Sequence, residues 1–176
     1  MKPNIDIKAA NLEKIADLLN TLLADEYVLY TKTRNAHWNV EGPHFFELHK
    51  FFESQYEAID VIIDDVAERV RSLGHFSLGS MKDFLSVTHL SEDSHKFSDS
   101  RKILQTLLSD HEAIICSIRK EVDTVSNDYK DAGTTDFITG IMEQHEKMAW
   151  MLRAQVLSAE KTNGSAVHEK AKVGTW

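Results

Sequence analysis

Residues 35–74 read NAHWNVEGPHFFELHKFFESQYEAIDVIIDDVAERVRSLG, and this stretch decides the fold of the chain. Gly42 and Pro43 interrupt the pattern of apolar residues, and Pro43 suits the start of a helix because no backbone N–H is needed there. Beyond Pro43, apolar residues recur every three or four positions as far as about Ser72, which predicts one long, unbroken helix.

Helical spacing of apolar residues continues on both sides of this stretch. An alternation of apolar and polar residues, which would indicate a strand, does not compete with it anywhere. Each predicted helix is long, as expected of a chain with few prolines and glycines. The four predicted helices cover about residues 11–39, 43–72, 103–125 and 137–156.

The connections between these helices indicate how they are arranged. Residues 75–97 form a long linker, in which Ser80 to Ser86 are expected to make a short helix. A turn is expected at residues 131–135, with Thr134 or Thr135 as the cap of the fourth helix. Two hairpins joined by a long connection are typical of a ferritin-like four-helix bundle. We therefore predict an all-α, ferritin-like four-helix bundle with a short extra helix between helices two and three.

The size and composition of the chain limit its function. The 176 residues are expected to form one domain, with flexible tails at about residues 1–8 and 161–176. The net charge of −8 argues against nucleic-acid binding through the general surface. A single cysteine, no apolar signal segment and no membrane span point to a soluble, cytoplasmic protein.

Two histidines and two carboxylates are candidate metal ligands. His37 and His49 flank the Gly-Pro break, while Asp64 and Glu68 lie one helical turn apart further along. Imidazole nitrogen with carboxylate oxygen is a ligand mix that suits iron, although zinc and manganese accept the same donors. Glu53 lies one turn beyond His49 on the same helix face.

Helix geometry restricts how these residues meet. His49 and Asp64 are fifteen residues apart on one helix, which places them about 22 Å from each other. Either the residues are unrelated, as carboxylate pairs on solvated helix faces often are, or a second copy of the chain completes the site. The Glu-x-x-His motif of sites inside one bundle does not occur in any predicted helix interior, which favours the second alternative.

The sequence closely resembles the Dps family, the DNA-binding proteins from starved cells, also called miniferritins. The resemblance rests on residues 35–43, Asn-Ala-His-Trp-Asn-Val-Glu-Gly-Pro, followed by Phe45, His49 and residues 63–69, Ile-Asp-Asp-Val-Ala-Glu-Arg. It covers roughly residues 8–160. It implies a hollow dodecamer that oxidises ferrous iron between two-fold related subunits, preferably with hydrogen peroxide, and stores ferric mineral inside.

The resemblance also assigns residues. It implies a di-iron site with His37, His49 and Glu53 from one subunit and Asp64 and Glu68 from its partner. Family members often carry Asp at the position of Glu53, so the weaker second iron position is the one that differs here.

Two further features carry a functional and a purely structural interpretation. Trp38 adjoins His37 and is either a packing residue or an electron donor to the di-iron site. Asp131, Asp136 and Glu143 correspond to the region that lines an iron entry pore in similar proteins. Acidic residues at a helix start also arise for dipole reasons alone, so both interpretations stand.

The main alternative is a nucleoid protein that compacts DNA and binds metal incidentally. The tails carry few basic residues, chiefly Lys2, Lys8, Lys161, Lys170 and Lys172, and each tail is only weakly basic. Because phosphate binding scales with the charges neutralised, we predict weak or absent DNA binding near physiological salt. An ordinary helix bundle without metal chemistry is the third alternative. His111, His145 and Cys116 receive no catalytic role, and Cys116 is expected to be buried.

Overall fold

The computed structural model describes the backbone of residues 3–92 and 99–170 and the side chains of residues 3–92 and 99–157. All regular structure in these residues is helical, which confirms the all-α prediction. The chain forms two antiparallel hairpins, α1 with α2 and α4 with α5, and the short α3 lies in the connection between them. The helices are α1 (Ala9–Asn39), α2 (Phe45–Ser72), α3 (Met81–Val87), α4 (Ser100–Asp123) and α5 (Ala132–Lys170).

The first hairpin turns where the sequence predicts it. Gly42 adopts a φ of +113°, a conformation that residues with a Cβ rarely tolerate. The helix begins slightly later than expected, at Phe45, whose backbone N–H donates to the carbonyl of Gly42. From there α2 runs without interruption to Ser72, so the long rod predicted from the apolar spacing is confirmed.

The second hairpin differs from the prediction at its turn. A π-helical segment, Thr124–Asp128, extends α4, and α5 then begins at Ala132. The cap of α5 is Asp131, because its carboxylate accepts a 2.9 Å hydrogen bond from the backbone N–H of Thr134. The prediction of Thr134 or Thr135 as the cap is therefore wrong, since both residues already lie inside the helix.

The core lies between the two hairpins and is apolar along most of its length. Its fully buried side chains include Leu19 and Leu29 from α1, Phe52 from α2, Ile114 from α4 and Leu152 from α5. Burial of such side chains stabilises the fold by about 1.5–3 kcal/mol for each of them.

The linker is attached to α1 by polar and aromatic contacts. Asp25 is buried in α1, and its carboxylate accepts hydrogen bonds from the hydroxyl of Thr88 and the backbone N–H of His89. Phe84 of α3 stacks on Tyr27 with 4.2 Å between the ring centroids. The short helix expected at Ser80 to Ser86 is thus confirmed at Met81–Val87 and packs against the first hairpin.

The two ends of the chain are described in part. The backbone is helical from Ala132 to Lys170, which includes the first ten residues of the segment 161–176. Residues 1–2 and 171–176 lie outside the described residues, and the flexibility expected of both tails stays a prediction. In the described part of the chain, no helix is both long and apolar enough to cross a membrane.

Candidate metal centre

His37 and His49 form a stacked pair that closes the first hairpin. Their ring centroids are 3.8 Å apart, with 21° between the ring planes. Nδ1 of His37 lies 2.9 Å from the carbonyl oxygen of His49, and Nδ1 of His49 lies 2.9 Å from the carbonyl oxygen of His37. The carbonyl of His37 lies in the last turn of α1, where carbonyls have no partner within the helix. The pair therefore also caps that helix.

These reciprocal hydrogen bonds fix the tautomer of both rings. A carbonyl oxygen only accepts, so Nδ1 of each histidine must carry the proton and donate it. The lone pair of each neutral imidazole is then on Nε2, which is the form that binds metal ions. His37 is 8% exposed and His49 is partly buried, so both rings are held by packing as well as by hydrogen bonds.

Glu53 extends this pair by one helical turn. Its carboxylate forms an ion pair with the ammonium of Lys50, with 2.6 Å between Oε2 and Nζ. The hydrogen bond from Lys50 and the charge of that residue lower the pKa of Glu53, and His37 and His49 add to this effect. Glu53 is consequently an anionic carboxylate next to two imidazoles. Lys50 was not predicted to contact Glu53, although its spacing of three residues from Glu53 is a helical pairing signal.

Asp64 and Glu68 lie far from the two histidines within one subunit. Both are exposed on α2, near its opposite end. Among the residues whose side chains are described, no group of three or more His, Cys, Asp or Glu side chains is arranged to hold a metal ion. The structure thus brings His37, His49 and Glu53 together near the start of α2 and leaves Asp64 and Glu68 near its other end.

The candidate ligands at the two ends of α2 nevertheless lie on the same side of this helix. At 100° per residue, Glu53 and Asp64 are eleven positions apart and therefore differ by about 20° around α2. Two large apolar side chains share this side of the helix, Phe46 with 68% exposure and Val61 with 61%. A continuous face of α2 thus carries nitrogen and oxygen donors at one end, carboxylates at the other, and exposed apolar surface.

An aromatic cluster surrounds the histidine pair. The ring of Tyr56 lies edge-on to His37, with 5.2 Å between centroids. The guanidinium of Arg34 lies over Tyr56 at 4.4 Å and over Trp38 at 5.1 Å. Trp38 itself is 62% exposed, so it does not pack into the core of its own subunit. Tyr56 and Arg34 were missed in the sequence, although Arg34 precedes Trp38 by one helical turn.

The three candidate pore residues have different environments. Asp131 is buried, caps α5 and pairs with Arg69 of α2, with 3.3 Å between Oδ1 and Nη2. These contacts give its carboxylate a structural role within the subunit. Asp136 and Glu143 are exposed on α5 and keep their carboxylates at the surface.

Two further histidines are buried in the interior of the bundle. His111 of α4 and His145 of α5 are 1% and 0% exposed, and Glu26 of α1 beside them is also fully buried. We refer to Glu26, His111 and His145 as the core triad. In the sequence both histidines lie in acidic clusters, which left a surface and a packing position open, and no catalytic role was expected of them. Cys116, in contrast, was expected to be buried and is exposed.

Comparisons with known proteins agree with this architecture. Residues 16–161 match the family model of the ferritin-like domain. An uncharacterized low temperature-induced protein of Nostoc sp. is 42% identical over 151 residues, which are 86% of this chain and 84% of that protein. The DNA protection during starvation protein 2 of Bacillus anthracis is 34% identical over 142 residues, 81% of this chain and 96% of that protein.

Solved structures give the same result. The DPS protein of Vibrio cholerae O1, described as a member of a broad superfamily of ferritin-like diiron-carboxylate proteins, superposes with a TM-score of 0.82. It is 30% identical, and the match covers 89% of this chain and 98% of that chain. A Dps protein of Bacillus brevis gives 0.79 at 32% identity and covers 85% and 99%. The predicted ferritin-like bundle is confirmed, and the chain belongs to the Dps family of ferritin-like proteins.

Proposed function

We propose that this protein oxidises ferrous iron and stores the ferric product, and that each oxidation site is shared by two copies of the chain. The observation that carries the proposal is the stacked His37–His49 pair, in which both Nδ1 atoms are occupied and both Nε2 lone pairs are free for metal. With the anionic Glu53 beside them, the residues fit ferrous iron as a substrate.

The partner subunit would supply Asp64 and Glu68. An antiparallel pairing of α2 with its copy brings the histidine end of one helix beside the carboxylate end of the other and forms two equal sites, as a two-fold interface requires. The exposure of Val61 and Phe46 on the same face of α2 supports this pairing, because apolar surface of that kind favours association.

The proposed reaction consumes hydrogen peroxide. Two ferrous ions each give one electron, the O–O bond breaks, and two protons are taken up to leave two ferric ions and two molecules of water. Carboxylates from both subunits would neutralise the charge of the ions, and neutral imidazoles would bind them before oxidation. Because both electrons arrive together, no hydroxyl radical is released.

The storage function requires a closed shell, which we propose to be the dodecamer of the Dps family. Asp136 and Glu143 are the candidates for an acidic iron entry pore, since both are exposed and seven residues apart on one face of α5. Iron removal and peroxide consumption would protect DNA and the rest of a cytoplasmic compartment indirectly. Compaction of DNA is the runner-up, and the charge of −8 argues against it.

Anaerobic titration with ferrous iron, followed by peroxide, tests the proposal. We expect His37→Ala/Asp64→Ala to lose most of the rapid oxidation, while the exposed control Glu13→Ala keeps it. Oxidation and retention of iron by the double variant at the wild-type level would contradict the site assignment.

A complementation experiment tests the sharing of the site. His37→Ala/His49→Ala subunits and Asp64→Ala/Glu68→Ala subunits are each expected to be inactive. In co-assembled oligomers, each two-fold pair of unlike subunits contains one site with all five ligands. The other site of that pair lacks all four of the substituted side chains. Rapid oxidation should therefore return in the mixture, whereas a site within one subunit would stay inactive in it.

A further inference from the structure

The core triad is a chain of three polar groups inside an apolar bundle, and the proposed iron oxidation does not use it. Nε2 of His145 lies 2.8 Å from Oε1 of Glu26, and Nδ1 of His145 lies 2.9 Å from Nδ1 of His111. The three residues come from α5, α1 and α4, so the triad joins the two hairpins across the core. Burial of three such groups is costly unless each finds a partner.

The hydrogen bond to Glu26 determines the chemistry of His145. A carboxylate accepts, so Nε2 of His145 donates its proton to Glu26 and leaves the lone pair on Nδ1. That lone pair points at Nδ1 of His111, and one proton between the two nitrogens accounts for their 2.9 Å separation. Burial in the core holds the pKa of His111 well below its usual range, so His111 is neutral near pH 7.

His145 has one feature in common with metal-binding histidines. A ligating imidazole usually donates its second N–H to a carboxylate, which fixes the ring and makes the ligating nitrogen more basic. Here Glu26 is the carboxylate that accepts from Nε2 of His145. The other ring nitrogen of His145, Nδ1, faces Nδ1 of His111. The second oxygen of Glu26, Oε2, is buried and has no hydrogen-bond partner among the described residues.

We propose that His111 and His145 bind one copper(I) ion through their Nδ1 atoms in the core of each subunit, with Glu26 as the supporting carboxylate. Copper(I) accepts imidazole nitrogen and tolerates a small number of neutral ligands. Its single positive charge balances the single negative charge of Glu26, so the occupied triad is neutral overall. Ferrous iron would need further oxygen ligands, and the neighbouring core is apolar.

The residues around His145 favour the same ion, although the two rings must separate to admit it. Met142 and Met148 lie one helical turn before and after His145, and both pack in or against the core. Thioether sulfur is a preferred ligand of copper(I) and a poor one of hard cations. Metal–nitrogen bonds of about 2 Å on opposite sides of an ion require nitrogens about 4 Å apart. The two rings would therefore each move by about half an ångström, while the proton of His111 shifts from Nδ1 to Nε2.

The proposal is tested on the assembled, full-length protein incubated without oxygen with the copper(I) complex of bicinchoninate. We expect the wild-type protein to take up copper slowly, because the triad is fully buried. After desalting, it should retain one copper ion per subunit. The variant His37→Ala/His49→Ala should retain the same amount, since the proposed iron ligands are not involved. Loss of copper from that variant, or no copper retained by wild type, would overturn the proposal.

Two variants of the triad complete the experiment. Glu26→Gln preserves size and is expected to weaken copper binding by about 10–100-fold, the usual cost of losing a supporting carboxylate. The variant His111→Gln should retain no copper. The helical circular dichroism signal of this variant shows whether it has folded. X-ray absorption of the wild-type protein is expected to show two nitrogen neighbours, with or without sulfur. Four or more oxygen neighbours, or unchanged copper binding in both variants, would contradict the assignment whatever the stability of the variants.

Discussion

At the scale of single residues, the decisive feature is that two histidines hold each other in their metal-binding form. Each Nδ1 is occupied by the other residue's backbone carbonyl, so neither ring is free to rotate or to change tautomer. The arrangement depends on the hairpin alone, because both residues lie within fifteen positions of each other. Nitrogen donors of the proposed site therefore need no partner subunit to be positioned.

The variant His49→Ala tests this arrangement. It removes one proposed ligand and leaves the carbonyl of His37 without its side-chain donor. We expect slower ferrous iron oxidation by at least tenfold and a loss of about 1 kcal/mol in the free energy of unfolding. Stopped-flow absorbance and urea denaturation measure the two effects, and Glu13→Ala serves as the control. Unchanged stability would mean that the reciprocal hydrogen bonds contribute nothing in solution.

The variant Lys50→Gln tests the ion pair beside the site. Because the hydrogen bond and charge of Lys50 lower the pKa of Glu53, their removal should raise that pKa toward the ordinary value of a glutamate. Glu53 would then lose its charge at a higher pH than in the wild-type protein. Carboxyl chemical shifts followed by NMR through an acid titration measure the change. An equal midpoint in both proteins would show that the pair is absent in solution.

At the scale of helices, buried polar side chains hold the two hairpins in register. Asp131 caps α5 and pairs with Arg69 of α2, and Arg69 also donates to the hydroxyl of Thr134. Asp110 of α4 pairs with Lys32 of α1 at 2.6 Å. These contacts connect both helices of the first hairpin, which carry the proposed iron ligands, to the second hairpin.

The variant Asp131→Ala should therefore be less stable. It removes the cap of α5 and leaves the guanidinium of Arg69 without its carboxylate. We expect a loss of about 1–3 kcal/mol in the free energy of unfolding, measured by urea denaturation. Asp136→Ala is the matched control, because this carboxylate is exposed one turn into the same helix. Equal stability of the two variants would contradict the structural role given to Asp131.

The core triad makes stability depend on pH. His111 has a lowered pKa in the folded protein, whereas an unfolded histidine takes up a proton at about pH 6.5. Above that pH both states are neutral, and the contribution is fully present. As the pH falls below it, the unfolded chain binds the proton first and stability is lost. Urea denaturation between pH 7.5 and 5 should show a steeper loss for wild type than for His111→Gln.

The sequence predicted the helices better than their ends. Apolar spacing identifies a buried face over many residues, so α2 was placed almost to the residue. The cap of α5 was assigned wrongly because Asp131, Thr134 and Thr135 are all good capping residues, and only the backbone conformation selects among them. Cys116 was misplaced because it lies in an apolar run, although it is two positions from both Ile114 and Ile118 and so faces away from them.

The site was predictable in part for a similar reason. His37 and His49 straddle a turn that composition reveals, so their proximity followed from the sequence. In contrast, the contact of Glu26 with His145 joins α1 to α5, two helices that are distant in sequence. No local pattern reports such pairs, because they depend on how the hairpins pack.

At the scale of the whole molecule, the exposed face of α2 governs assembly. A charge placed on its apolar surface should oppose pairing of two copies, because the charge would lose its hydration in the interface. We expect Val61→Asp to shift the particle to smaller species in analytical ultracentrifugation and to slow iron oxidation. The control Leu85→Asp changes an exposed apolar side chain of α3 instead. A full-sized particle for Val61→Asp would argue against this face as the interface.

DNA binding is also a property of the whole particle. The net charge of −8 per chain repels phosphate, and the weakly basic tails offset it only locally. We expect no shift of plasmid DNA in a gel at physiological salt, and at most weak retention at low salt. A tight complex at physiological salt would favour the DNA-compacting alternative and would call for truncation of each tail in turn.

The separation of the proposed ligands along α2 has a consequence for timing. If the site is shared between two subunits as proposed, a freshly synthesised subunit holds its imidazoles in place but lacks the partner's carboxylates and would not oxidise iron rapidly. Turnover would then begin only after two chains meet, and in dilute solution the initial rate should rise with the square of the subunit concentration. In a cell that makes this protein, ferrous iron would thus be oxidised only where subunits are already assembling into the shell that stores the ferric product.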